Sequence, residues 1–364
     1  MDSLISELVH DTSNLYSLYG SEAVTDRNKG IHTSKGAMLV IDGLPFSSSP
    51  DSTPVCVGSL QAFTFPPHVL YYGPEWPDRI TPPQLLAMSC PDCFSGFEHD
   101  GTPKGKVIKL HGLDTYVTEP AEGRPVKGII VYIPDAFGID FVNNKILADT
   151  YAAKGDYKVY LPDFMLGHSC PSWVLGSIKS ITSSGDYLYK PYHVFWAMYA
   201  FIPWILRNRP GKSFPIVKKF FEDLRKESGS TPIGAAGFCW GGKHVVLLAD
   251  GQHKIDGKPM YDAGFTGHPS FLEIPKDIER IAVPVSIAVP ELDNQFSIPR
   301  DIDVIDRIME GRPEATKGEI RVYEKVGHGF CVRADMKAED VAKSATEAEN
   351  QAIEWFNAKL GRLL

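Results

Sequence analysis

The chain has 364 residues, 43% of them hydrophobic and 23% charged, enough for one large α/β domain with additional material or for two ordinary domains. A formal charge of −8 without any long basic run excludes the electrostatic footprint of a nucleic-acid binder. No stretch approaches the roughly 18 consecutive apolar residues of a membrane helix, and the start M-D-S-L-I-S-E-L-V-H lacks the basic region of a secretory signal. The expectation is therefore a cytoplasmic protein with neither nucleic acid nor membrane as a partner. Six cysteines in so long a chain do not form a disulfide framework, and reducing surroundings keep a catalytic thiol available.

Residues 1–87 read as an N-terminal extension to a main domain at 88–364. A weakly amphipathic helix is expected near Leu4 to Tyr19. From Ile41 to Pro83, prolines, serines and turn residues dominate, and repeated prolines interrupt both helix and strand. The segment still carries Phe63, Phe65, Tyr71, Tyr72 and Trp76, so it is no typical polar disordered tract, and the expectation is an extension that is either poorly ordered or loosely packed. Met88 offers an alternative start. Cys90 and Cys93 form one C-x-x-C. A zinc site needs two further ligands at matching spacing and a thioredoxin-like motif should open a helix after a strand, so neither metal nor redox chemistry is expected there.

From about Lys106 strands alternate with helices. Gly128 to Pro134 (G-I-I-V-Y-I-P) is a short β-branched run closed by proline, the pattern of a buried strand. Asn143 to Lys154 has helical spacing. Lys158 to Asp163 and Thr231 to Ala236 are the next strands, two more begin near Tyr261 and Val283, and the last near Glu319. A helix from about Ala338 to Leu360 closes the chain. This rhythm predicts a mostly parallel sheet covered on both faces. It breaks between Phe164 and Pro210, where aromatic residues concentrate. The plain reading is a buried helix over Val194 to Arg207; the sharper one is that part of the segment roofs a pocket.

The strongest chemical signal is G-F-C-W-G-G, Gly237 to Gly242, after one strand and before the helical run K-H-V-V-L-L-A-D. Strand, sharp glycine-rich turn and helix make a nucleophile elbow, here with Cys239 where serine is usual. The Trp240 N–H then sits at a helix N-terminus, placed to donate to an oxyanion. A thiol needs a base or a positive neighbour to become a nucleophile at neutral pH. Asp293, after the strand near Val283, and His328, in V-G-H-G-F after the last strand, follow in the order nucleophile, acid, histidine. Glu291 is the rival acid; His244 and His268 are rival histidines, read as packing or hydrogen-bonding residues. Cys331 has no elbow and reads as packing. Asp135, directly after a buried strand, faces the crevice at the sheet's C-terminal edge or else forms a turn and caps the next helix. No G-x-G-x-x-G follows a strand and no P-loop is present, so no cofactor is expected.

From about Met88 onward the chain resembles the dienelactone hydrolases, especially their fungal branch. The marks are M-S-C-P-D-C-F-S-G, H-G-L-D-T-Y-V, I-P-D-A-F-G, L-A-D-T-Y-A, L-P-D-F, G-F-C-W-G-G, H-P-S, E-L-D-N-Q-F and V-G-H-G-F, in family order. The resemblance implies an α/β-hydrolase fold and a triad of Cys239, His328 and Asp293. It also implies an oxyanion hole from the backbone N–H groups of Trp240 and Ala136. An acidic residue beside the resting thiol, Asp135 here, is implied as its gate. The family's carboxylate-binding arginine falls nearest Arg333, one residue further from the histidine. The implied reaction is hydrolysis of a small lactone or ester through a cysteinyl acyl-enzyme. The alternatives are a broader carboxylesterase or thioesterase acting on a polyketide-type lactone, and a non-catalytic ligand-binding member of the fold.

Overall fold

The computed structural model describes residues 94–185 and 187–363. The expected extension (1–87), its helix at Leu4 to Tyr19, Met88 and the Cys90/Cys93 pair lie outside them.

The elements run, in order, β1 (Lys106–Leu110), β2 (Leu113–Thr118), β3 (Ile129–Ile133), α1 (Val142–Gly155), β4 (Lys158–Pro162), α2 (Trp173–Thr182), α3 (Lys190–Asn208), α4 (Pro210–Glu227), β5 (Ile233–Phe238) and α5 (Trp240–Leu248). There follow β6 (Lys254–Ile255), β7 (Lys258–Pro259), β8 (Ala263–Gly267), α6 (Lys276–Glu279), β9 (Val285–Leu292), α7 (Arg300–Glu310), β10 (Glu319–Gly327), α8 (Phe330–Arg333) and α9 (Glu339–Leu360). One eight-stranded sheet has the order β1-β2-β4-β3-β5-β8-β9-β10. From β4 to β10 all neighbours are parallel; β1 with β2 and β2 with β4 are antiparallel. This is the α/β-hydrolase arrangement, a mostly parallel sheet with helices between its strands.

The central strands are legible because both faces are covered. All six residues of β5 are buried, as are four of the five in β3, so each reads as one continuous apolar run. The hairpin β1–β2 escaped the periodicity reading. Four of the five β1 residues are exposed, and charged side chains at a sheet edge hide a strand while protecting it from pairing. Its turn, His111–Gly112, has φ of 48° and 84°, the doubly left-handed form that suits a two-residue hairpin.

The expectation of a buried helix over Val194 to Arg207 is corrected. Helix α3 forms, but within it only Ala197, Trp204, Ile205 and Asn208 are buried. Phe195 and Tyr199 stay more than 60% exposed. Apolar residues occupy most sides of this helix while only one side meets the domain, so overall hydrophobicity gave no clue to the face.

Candidate active site

Cys239 lies between β5 and α5 with φ 53° and ψ −114°, a strained conformation for a residue with a side chain. The turn is held by its neighbours: the Cys239 N–H donates to the Gly267 carbonyl (3.2 Å), and its carbonyl accepts from Ser270 (3.0 Å) and Gly242 (3.1 Å). The glycines are there for space. A methyl group at Gly241 would strike the Ile133 carbonyl at the end of β3, and one at Gly242 would strike Thr266 and Pro269. Close approach brings the loop after β3, which carries Asp135 and Ala136, alongside the elbow. Trp240 is the first residue of α5, so its N–H has no acceptor within the helix.

His328 follows β10, and its Nδ1 meets Asp293 Oδ2 at 2.8 Å, with both side chains fully buried. Its ring also hydrogen-bonds Cys239. Burial works against a charged imidazole, yet the Cys239 sulfur, the Asp293 carboxylate and the bonds to both outweigh it and push the pKa up to about 10. Asp293 is oriented in turn: its Oδ1 accepts the Gln295 N–H (3.0 Å) and its carbonyl accepts that of Phe296 (3.3 Å). Three residues far apart in sequence are thus brought into one hydrogen-bonded chain.

The rivals are otherwise engaged. Exposed Glu291 accepts the Lys325 N–H (2.8 Å), holding the irregular stretch of β10. His244 lies against the Trp240 indole and shares a 2.8 Å bond with Ser213; burial, with help from Lys243, lowers its pKa to about 3. His268 packs edge-on against His328, with ring centres 4.9 Å apart. Burial first, then the His328 and Arg333 charges, hold it neutral.

Asp135 is fully buried. Its Oδ1 accepts from the Phe137 N–H (3.1 Å) and Asn144 Nδ2 (3.0 Å), and its Oδ2 is paired with Arg333 Nη1. The turn-forming reading therefore holds locally, but α1 begins only at Val142 and Asp135 does not cap it. Burial raises the carboxyl pKa, Arg333 opposes, and the nearby Cys239 charge raises it further; the net direction is upward. Arg333 is only 2% exposed. Its Nε donates to the Ser95 carbonyl (2.8 Å) and its guanidinium lies 5.2 Å from the Phe137 ring centre.

A match to the model of the dienelactone hydrolase family spans residues 113–360. The chain belongs to the dienelactone hydrolase family. Among its relatives, "Hydrolase tropI" of Talaromyces stipitatus is 32% identical over 275 residues, covering 75% of this chain and 96% of the relative. "Dienlactone hydrolase 1" of Gibberella moniliformis is 27% identical, covering 74% of this chain and 94% of the relative. A solved structure described as a putative dienelactone hydrolase from Klebsiella pneumoniae aligns with a TM-score of 0.48 at 14% identity, over 72% of this chain and 96% of that one. As a member of that family the chain is a hydrolase, and its sheet order is that of the α/β-hydrolase fold.

In this dienelactone hydrolase family member a cleft of about 350 Å³ opens beside the site, lined among others by Phe97, Leu175, Lys179, His328, Phe330 and Arg333. Leu175 and Lys179 come from α2, so the broken segment does supply a wall, through α2 rather than α3. Cys239 is 2% exposed and does not line this cleft. Ser270, in the H-P-S mark, had been given no role by the sequence. It is buried, with its Oγ 3.4 Å from Cys239 Sγ and 3.5 Å from His328 Nε2. Only its position two residues beyond the rival histidine hinted at the site. Cys331 packs its sulfur against Gly267, and burial raises its pKa well above that of a free thiol. Among the described residues no group of three or more His, Cys, Asp or Glu side chains is arranged to hold a metal.

Proposed function

We propose that this hydrolase opens a small lactone, or cleaves a small ester, through a thioester formed on Cys239. The observation that carries the reading is the buried chain Cys239–His328–Asp293, in which the imidazole pKa is raised to about 10 beside the sulfur. The reactive form of the pair is thiolate and imidazolium, the form that the raised imidazole pKa favours. Cys239 Sγ attacks the carbonyl carbon, and the N–H groups of Trp240 and Ala136 receive the developing oxyanion. As the tetrahedral intermediate collapses, the C–O bond breaks and His328 gives its proton to the leaving alkoxide. The neutral ring then takes a proton from water, whose hydroxide attacks the thioester; Cys239 leaves as thiolate and the acid is released. Asp293 holds the ring in the required orientation throughout. Asp135, paired with Arg333, sets how readily the free thiolate forms.

A second reading, a broader carboxylesterase or thioesterase for uncharged lactones, is favoured by Arg333. Its guanidinium is taken up by Asp135 and the Ser95 carbonyl, so a carboxylate-binding role requires that pairing to open. Turnover of dienelactone and of neutral chromogenic esters by wild type, Cys239→Ala, Cys331→Ala and Arg333→Gln separates the readings. The proposal expects hydrolysis lost in Cys239→Ala and largely kept in Cys331→Ala. A KM rise confined to carboxylate substrates in Arg333→Gln supports the first reading; better turnover of neutral esters by wild type supports the second. An inactive wild type on every ester and lactone, or an active Cys239→Ala, overturns both.

A further inference from the structure

We infer that α3, with the turn before it, is a peripheral docking face for an anionic phospholipid surface. Among the described residues, 21 large hydrophobic side chains are exposed and 11 of them fall between Tyr187 and Leu206. One short stretch thus carries more than half of the exposed bulky apolar side chains of the described residues, far beyond scattered single residues. Leu188 stands 92% exposed at the tip, and Tyr192, Phe195, Tyr199 and Leu206 continue along the helix. The opposite side is firmly seated: Trp204 is buried against Phe94, with ring centres 5.5 Å apart, and its Nε1 donates to Met165 Sδ. The exposed side is therefore the outer face of an anchored helix.

Charge selects the occupant. Residues 186–213 contain Lys190, Arg207, Arg209 and Lys212 against the single acid Asp186, a net +3 in a chain whose total is −8. Among the described residues none of these four cations is ion-paired with a carboxylate. A twofold pairing of two copies through this face would set one cationic patch against another, whereas an anionic surface is attracted to both ends of the helix. Tyrosine and tryptophan rings beside lysine and arginine are the composition that settles at a headgroup boundary. Side chains that protrude this far need deep recesses in a protein partner; a fluid lipid surface accepts them without matching shape. The expectation of no membrane partner rested on spanning segments, and indeed among the described residues no helix is long and apolar enough to cross a bilayer. A helix lying on the surface is a different case. The buried end of the helix adjoins the elbow: the carbonyl of Asn208, the last residue of α3, accepts a 2.6 Å bond from the indole of Trp240. Docking would bring the site to esters that partition into membranes.

The test is flotation of the full chain with vesicles, which does not depend on the proposed reaction. Phosphatidylcholine vesicles are compared with vesicles containing about a third phosphatidylglycerol, at low and high salt. Binding to the anionic vesicles should be about tenfold tighter than to the neutral ones and should weaken with salt. Leu188→Ser/Phe195→Ser should lose most of it on either vesicle, and Arg207→Glu/Lys212→Glu should lose the anionic preference, both with unfolding temperatures like wild type. Absence of binding to anionic vesicles, or binding unchanged in both variants, overturns the inference. A wild-type dimer that Leu188→Ser/Phe195→Ser turns into a monomer overturns it as well, by assigning the face to a second copy.

Discussion

At the scale of single residues the site balances one buried anion and one buried cation beside a thiol. Asp135 interacts with Cys239 and is neutralised by Arg333. Removing either partner has opposite effects on the sulfur. Asp135→Asn leaves the Arg333 charge uncompensated, so iodoacetamide should alkylate Cys239 faster than in wild type at pH 6; Arg333→Gln leaves the carboxylate and should slow it. Rates that move in the same direction would dismiss the gate. Each change also breaks a buried pair, with an expected loss of about 3–5 kcal/mol in unfolding free energy. His328 gives a second test. Its pKa of about 10 keeps the ring protonated, ready to donate to the leaving group, across neutral pH. kcat/KM should therefore hold through neutrality and fall only as pH approaches 10; a basic limb near 6.5, the ordinary imidazole value, contradicts that charge state. The sequence made Cys239, Asp293 and His328 readable because each follows a strand in a fixed order. The engagement of Arg333 with Asp135 was not readable, since the two are 198 positions apart and meet only through folding.

At the scale of elements the turn that carries Cys239 depends on how closely α5 approaches β3. Gly241→Ala puts a methyl group into the Ile133 carbonyl, so α5 has to back away from the loop bearing Ala136. The expected cost is about 3 kcal/mol of stability, with a kcat loss of about 10²–10³-fold as the two proposed oxyanion donors separate. Thermal unfolding and steady-state rates measure the two effects; a Gly241→Ala enzyme with wild-type kcat would mean the donors lie elsewhere. Elements with two buried faces, β3 and β5 above all, were legible from composition alone. The edge hairpin β1–β2 and helix α3 were not, for opposite reasons: polar residues masked a real strand, while aromatic residues suggested burial that the packing does not provide.

At the scale of the whole molecule, two histidines are buried without charge. Burial lowers the pKa of His244 to about 3 and that of His268 well below the usual value. A depressed folded pKa means that stability is full above about 6.5 and is lost as the pH falls, because the unfolded chain binds protons that the fold refuses. Each ring contributes a slope of up to about 1.4 kcal/mol per pH unit below that point. Denaturant unfolding between pH 7 and 4.5 should show the decline; a flat profile would mean that neither ring is held neutral. Among the described residues the mostly parallel α/β sheet was legible because its strands and helices alternate regularly, and the same regularity put Asp293 and His328 on successive strand ends. The central claim is the thioester on Cys239, and rapid acid quench of turnover with a chromogenic ester, followed by peptide mass analysis, tests it directly. The account predicts an acyl group on the peptide bearing Cys239, accumulating further in Asp293→Asn and absent in Cys239→Ala. An acyl group on Ser270 instead, or full turnover in Cys239→Ala, would contradict it.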